Sequence, residues 1–139
     1  MKIHHGRTTV KTAGRIGIEN VTERVSAELA RSGLRDGIAV VSVPHTTCGL
    51  VVNEDEAGLR KDIVRLVATL LSPLAAEQPF SHDCVDDNAQ AHLTSLILGH
   101  SVTVPVAAAR LDLGTWQSIF LVEMDGPRSR SLDVRLFGE

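Results

Sequence analysis

From Ser131 to Phe137 polar and apolar residues alternate, with Leu132, Val134 and Leu136 set between Ser131, Asp133 and Arg135. Successive side chains of a strand point to opposite faces, so a two-residue period predicts a strand with one buried and one wet face. A sheet built from such strands needs a second layer over its apolar side. That layer has its own signature further up the chain. After the acidic run Glu54-Asp55-Glu56, which suits the positive end of a helix dipole, Leu59, Ile63, Leu66, Val67 and Leu70 fall on one helical stripe. Arg60, Lys61, Asp62 and Arg65 are left for solvent, and Ser72-Pro73 ends the segment. The two periods together predict an α+β fold, helices packed on a mostly antiparallel mixed sheet. A chain of 139 residues suits one domain, spanning residues 1–139.

The remaining elements follow from local signals. Lys2 to Thr12 mixes β-branched and polar residues and is expected as an edge strand before the turn at Ala13-Gly14. Asn20 and Glu23 have the spacing of a capping box, ahead of Val21, Val25 and Leu29 at helical spacing and a stop at Gly33. Ile38 to Val43, ended by Pro44, and Leu50 to Asn53 are expected as two adjacent strands. Residues 74–85 lack a period and are expected as loop or short extended structure. Asp86 or Asp87 is the expected cap of a third helix running through Leu93, Leu96 and Ile97 to Gly99. Strand-like segments follow at Ser101 to Pro105, near Arg110-Leu111, at Thr115 to Glu123 and at Ser131 to Phe137. Asp125-Gly126-Pro127 suggests that the last two form a hairpin.

Composition removes several classes of function. No apolar run approaches the roughly 18 residues of a membrane span, and the amino-terminal residues carry no secretory signal, so a cytoplasmic protein without membrane partners is expected. The charge sum, 14 − 17 = −3, offers nothing general to nucleic acid, and one Trp, three Phe and no Tyr make a poor base-stacking platform. Any anion site has to be local. Cys48 and Cys84 are too few for a disulfide framework.

His45 stands where a hydrophobic strand runs out, between Pro44 and the hydroxyls of Thr46 and Thr47. His82 and His92 bracket Asp86-Asp87-Asn88, and Asn88 and His92, four apart, share a helix face. Three neutral imidazoles plus water match an open tetrahedral zinc site, whereas the spacing alone equally fits separate surface histidines. Cys48 and Cys84 compete as ligands or serve as small buried hydrophobes. Glu54 offers an acid or base, or simply a charge favoured by the helix dipole. Arg110, Arg128 and Arg130 lie beside strand ends, either to grip phosphate or as solvated edge charges. Gly114 allows close backbone approach before Trp116 and Gln117.

Taken together, His45-Thr46-Thr47-Cys48-Gly49, Asn53-Glu54, His82, Asp86 with Asn88-Ala89-Gln90-Ala91-His92-Leu93, and Leu113-Gly114-Thr115-Trp116-Gln117 resemble the YjbQ-like, or secondary thiamine-phosphate synthase, family. The likeness covers nearly the whole chain. It implies a compact α+β homotrimer in which His45, His82 and His92 match the family's metal ligands near a subunit boundary, the metal being zinc or magnesium. It also implies a phosphorylated small-molecule substrate and a weak thiamine-phosphate synthase activity, joining a pyrimidine methyl pyrophosphate to a thiazole phosphate with release of pyrophosphate. On this reading Glu54, Asp86 and Asn88 orient ligands or move a proton, and Thr46, Thr47, Arg110, Trp116, Gln117, Arg128 and Arg130 contact substrate. The chain departs from the family pattern at Gln90, where a histidine is frequent, and at Val85, where glycine is. A zinc-dependent hydrolase of a phosphate ester or amide is the alternative enzyme, and a trimeric metal- or anion-binding module the non-enzymatic one.

Overall fold

The computed structural model describes residues 1–139 and contains eight strands and four α-helices. In chain order these are β1 (Lys2–Lys11), β2 (Gly17–Asn20), α1 (Thr22–Ser32), β3 (Gly37–Ser42), β4 (Cys48–Asn53), α2 (Ala57–Thr69), α3 (Ser72–Glu77), α4 (Ala89–Leu98), β5 (Ser101–Ala107), β6 (Arg110–Leu111), β7 (Ser118–Glu123) and β8 (Ser129–Gly138). A 3-10 turn, Ser81–Cys84, precedes α4. The strands form a five-stranded sheet, β1-β8-β3-β5-β6, and a three-stranded sheet, β2-β7-β4. Every pairing is antiparallel, so the helix-on-sheet class is as expected, without a parallel pair.

β8 shows why its alternating sequence matters. It lies inside the large sheet, pairing along its full length with β1 and through Asp133–Gly138 with β3, while β1 takes the expected edge. Leu132, Val134 and Leu136 are completely buried. They join Ala39 and Val41 of β3, Val104 and Val106 of β5, the inward side chains Leu50, Ile119 and Leu121 of the small sheet, and Val21, Val25 and Leu29 of the α1 segment in one core. The outer face of the small sheet is covered separately, where Val67 of α2 and Ala91 of α4 pack on Val122 and Met124.

Two expected pairings are not made. The last two strands form no hairpin, since β7 pairs with β2 and β4 whereas β8 crosses to the other sheet. β3 and β4 are likewise not neighbours; Pro44 cannot donate to a ladder, and the chain leaves the large sheet there for the small one. In both cases the connection reads locally as a turn but carries the chain between layers.

The helices follow their apolar spacing better than their expected caps. Gly33 ends α1 in the left-handed region, at φ 66°. Asn20 does not close a capping box with Glu23. Its Oδ1 accepts from the Thr22 amide at 3.0 Å and its amide group donates to Asp55. Glu56 caps α2 by accepting from the Gly58 and Leu59 amides, yet Leu66 and Leu70 on the stripe remain exposed. Residues 74–85 are not a loop: Pro73 stands in the first turn of α3, where its missing N–H costs no bond.

At α4 neither Asp86 nor Asp87 is the cap: Asn88 holds the N-cap position without a side-chain cap bond, and Asp83 Oδ1 accepts from the free Ala89 amide at 3.1 Å. The buried side of α4 is Ala89, Ala91 and Thr94, while Leu96 and Ile97 face outward. Small residues are needed because the helix end lies directly on β4. A Cβ at Gly49 would come within 2.9 Å of both the Leu98 Cβ and the Gly99 carbonyl. No helix is long and apolar enough to cross a membrane.

Candidate functional site

Both interlayer crossings pass the same place. The β3–β4 connection carries Pro44, His45, Thr46 and Thr47, and the β7–β8 connection carries Asp125 and Arg128 into Arg130; with Asn88 and His92 of the α4 segment these line a polar cleft of about 330 Å³. A neighbouring hollow shares Pro44, His45, Thr46 and His92 and adds Leu93, Leu96 and His100. A third, beside the 3-10 turn, holds His82 and His92.

The floor of the cleft is fixed by a buried ion pair. Glu123 is fully buried and Arg130 is 4 % exposed. Arg130 Nε donates to Glu123 Oε2 at 2.8 Å, and its Nη2 donates to the other carboxylate oxygen and to Thr47 Oγ1 at 2.9 Å. Glu123 also accepts from Thr12 Oγ1 at 2.8 Å and from the Met124 and Asp125 amides, each at 3.0 Å. Burial alone would raise the Glu123 pKa; Arg130, the Asp125 amide and Thr12 reverse this and hold it below the ordinary carboxylate value. Arg130 is therefore not a free substrate-gripping fork. Its Nε and Nη2 are committed to Glu123 and the Thr47 turn, which leaves only Nη1 without a partner in the chain.

Arg128 and Asn88 form the adjoining wall. Arg128 donates to the Asp125 carbonyl at 2.7 Å and to its carboxylate at 3.0 Å, with half of its side chain open to solvent. Asn88, 6 % exposed, donates its amide group to Asp125 Oδ2 at 2.9 Å. A carboxylate only accepts, so this bond fixes the amide orientation and turns Oδ1 toward His82 Nε2, 3.0 Å away, which must then carry a proton. His82 meets the edge of His92, with ring centroids 4.8 Å apart. Asn88 is thus a buried bridge that orients His82 from Asp125.

His45 is held differently. β3 pairs with β8 only as far as Ser42 opposite Asp133, so two residues further along, the Ser131 N–H has no strand to meet. His45 Nε2 takes its place, accepting from that amide at 2.8 Å. Burial first, then the charges of Arg130, Arg128 and Arg7, lower the His45 pKa against the opposing pull of Glu123, which keeps the ring neutral.

The expected metal set is only partly assembled. His92 borders a hollow with each of His45 and His82, but no group of three His, Cys, Asp or Glu is placed to hold an ion. The lone pair of His45 Nε2 is occupied by a backbone proton, so its other nitrogen bears hydrogen and neither can ligate a metal while that bond stands. Cys48 is completely buried, and burial pushes its thiol up to about 11; Cys84 is exposed. The three imidazoles do not fit a closed metal site within one chain.

Several other candidates lie away from the cleft. β4 runs antiparallel to β7 with Cys48 opposite Glu123 and Asn53 opposite Ser118. Glu54, Trp116 and Gln117 therefore sit at the far end of the small sheet, about 17 Å along the strand from Cys48. Gln117 Oε1 accepts from the Gly114 amide at 2.8 Å, and Trp116 is exposed. Arg110 lies on β6, the outermost strand beyond β5. Asp86 is exposed and its carboxylate accepts from the Asp87 amide. None of these five reaches the cleft of its own chain. Glu123, Asp125 and Ser131 were not singled out from the sequence; their roles depend on partners distant in the chain, and only the Glu123–Arg130 charge pair, seven residues apart across the crossing, left a trace there.

Fold and cleft together define a small α+β domain of two antiparallel sheets with a polar site at the seam between them. A sequence profile described as UPF0047 protein YjbQ-like matches residues 6–139, and the chain belongs to this family. A UPF0047 protein of Methanothermobacter thermautotrophicus is 37% identical over 139 residues, covering 100% of this chain and 95% of that protein. One of Archaeoglobus fulgidus is 44% identical over 127 residues, 91% and 96% of the two chains. The crystal structure of a YbjQ-like protein of unknown function from Sulfolobus solfataricus superposes with a TM-score of 0.93 at 37% identity, covering 99% of both chains. A hypothetical protein from Aeropyrum pernix gives 0.91 at 45%, covering 97% of this chain and 98% of that one.

Proposed function

We propose that the seam cleft binds the phosphate or pyrophosphate group of a small molecule, and that the protein is a transferase of the thiamine-phosphate synthase type. One observation carries the anion part: the cleft has no hydrophobic lining and presents Thr46, His45, His92 and the half-exposed Arg128 around one opening. Glu123 and Asp125 balance the two arginines, so recognition rests on directed donors more than on net positive charge. The resemblance supplies the reaction. The thiazole nitrogen forms a bond to the pyrimidine methylene carbon with its own electron pair. The carbon–oxygen bond to pyrophosphate breaks, and pyrophosphate leaves with that pair, so no proton has to move. Donors aimed at the leaving group accelerate such a step by stabilising the charge that develops on it.

Purified protein supplied with both phosphorylated halves and magnesium is expected to form thiamine phosphate, measured chromatographically beside an authentic synthase. No product from a well-folded preparation, with product in the parallel reaction, removes the transfer reaction. Calorimetric titration with inorganic pyrophosphate tests the cleft by itself, and Arg128→Gln is expected to weaken binding by about tenfold, the worth of a charge-assisted bond. Binding without turnover on any ester would leave an anion-binding module. The proposal includes the homotrimer that the resemblance implies, in which a neighbouring copy could bring the Glu54 and Trp116 end of one small sheet to the cleft of another.

A further inference from the structure

We propose that His45 is a fixed hydrogen-bond donor to the bound anion, offering Nδ1–H to an oxygen of the phosphate group directly, and is not a metal ligand. This rests on the anion-binding reading of the cleft but adds to it the chemical state of one ring. Three observations lead to it. The Ser131 amide lies 2.8 Å from His45 Nε2, and a backbone N–H can only donate, so Nε2 is the unprotonated nitrogen. In a neutral ring the proton then resides on Nδ1. That atom makes no hydrogen bond within the chain, and no buried side-chain nitrogen or oxygen is without a partner, so Nδ1 is open to solvent. Finally, the ring lines the cleft beside Thr46, His92 and Arg128, which places its free donor among the groups that would meet an anion.

The origin of the arrangement is in the sheet. The β3–β8 ladder ends at Ser42 opposite Asp133, so the Ser131 amide meets no β3 carbonyl, and His45 inserts its imidazole as the missing acceptor. The ring is thereby held by the strand ladder at one nitrogen and turned outward at the other. A metal ligand at this position would have to give up the Ser131 bond and leave a strand amide unpaired.

Nuclear magnetic resonance of the full chain labelled with 15N-histidine tests this without any substitution. The His45 Nδ1 signal is expected to be proton-bearing and Nε2 proton-free in the free protein at neutral pH. Inorganic pyrophosphate is expected to move the Nδ1 signal, while zinc alone leaves both His45 nitrogens in place. The opposite tautomer, or zinc-induced deprotonation of Nδ1, overturns the assignment. Calorimetry separates the two levels of the argument. Pyrophosphate that binds while the His45 signal stays still overturns the donor role alone; pyrophosphate that does not bind at all overturns the functional reading and the donor role with it. As a check by substitution, His45→Asn, which keeps an N–H near the Nδ1 position, is expected to hold pyrophosphate within about threefold of wild type, and His45→Leu to lose about tenfold. Equal loss in two variants that fold normally by circular dichroism would contradict a donor role.

Discussion

Glu123 and Arg130 are both sealed from water, and each is the other's main compensation. Removing one charge strands the other, an effect of about 3 kcal/mol or more, so Glu123→Gln is expected to lower the free energy of unfolding at pH 7 by that amount in a urea titration. The pH dependence has a definite sign. The Glu123 carboxyl lies below its ordinary value when folded, so its contribution is complete above the unfolded value of about 4.3 and is lost as pH falls through the lower folded value. Glu28, Asp125 and Asp133 are depressed as well and add to the same acid loss. Between pH 5 and 3 the variant should therefore lose stability less steeply than the wild type. Parallel curves would show that the Glu123 proton plays no part. The sequence marked Arg130 as a candidate through its place beside a strand, but a guanidinium that grips phosphate and one that grips a buried carboxylate read identically until the carboxylate is located.

At the level of elements, period carried more information than punctuation. β8 and α1 were legible because burial imposes its spacing on the element, as Leu132, Val134 and Leu136 or Val21, Val25 and Leu29 illustrate, whereas β1 was legible from its β-branched composition. β2 was not, since four residues are too few to show a period. The final hairpin was misread for a physical reason: an Asp-Gly-Pro turn fixes where the chain bends, not which strand it meets next, and β8 is placed by long-range register with β1 and β3. The face of α4 was misread because large apolar residues, Leu96 and Ile97, point outward while alanine and threonine make the contact. That contact yields a prediction. Gly49→Ala places a methyl group 2.9 Å from the Leu98 Cβ and the Gly99 carbonyl at the end of α4 and is expected to cost about 1–3 kcal/mol, measured as a lowered thermal midpoint. An unchanged midpoint would mean that α4 is not seated on β4 as described.

For the whole molecule, the helices leave Leu66, Leu70, Leu74, Leu96 and Ile97 exposed. Uncovered apolar side chains on a single copy are a reason to test for self-association. The proposed homotrimer predicts three times the monomer mass by sedimentation equilibrium at micromolar concentration. Leu96→Glu is expected to shift the population toward monomer while leaving the circular dichroism spectrum intact; a monomeric wild type removes the assembly. Of the candidate site, the position of His45 and the Thr-Thr segment was legible in the sequence as the end of a hydrophobic strand, which is where they stand. The separation of Glu54 and Trp116 from it was not visible, because neighbours in a motif can lie at opposite ends of an antiparallel strand.

The position of β8 between β1 and β3 also divides the rim of the cleft by how easily each side gives way. Ser131 and Arg130 are laddered to β1, and Arg130 is buried and ion-paired, so this side of the rim should open less readily than a surface turn. The 3-10 turn, tied to the cleft through the His82–Asn88 bond, contributes no buried residue. Accommodation of an incoming molecule would thus fall on the His82 side, and hydrogen exchange with and without pyrophosphate should register protection at residues 81–88 first.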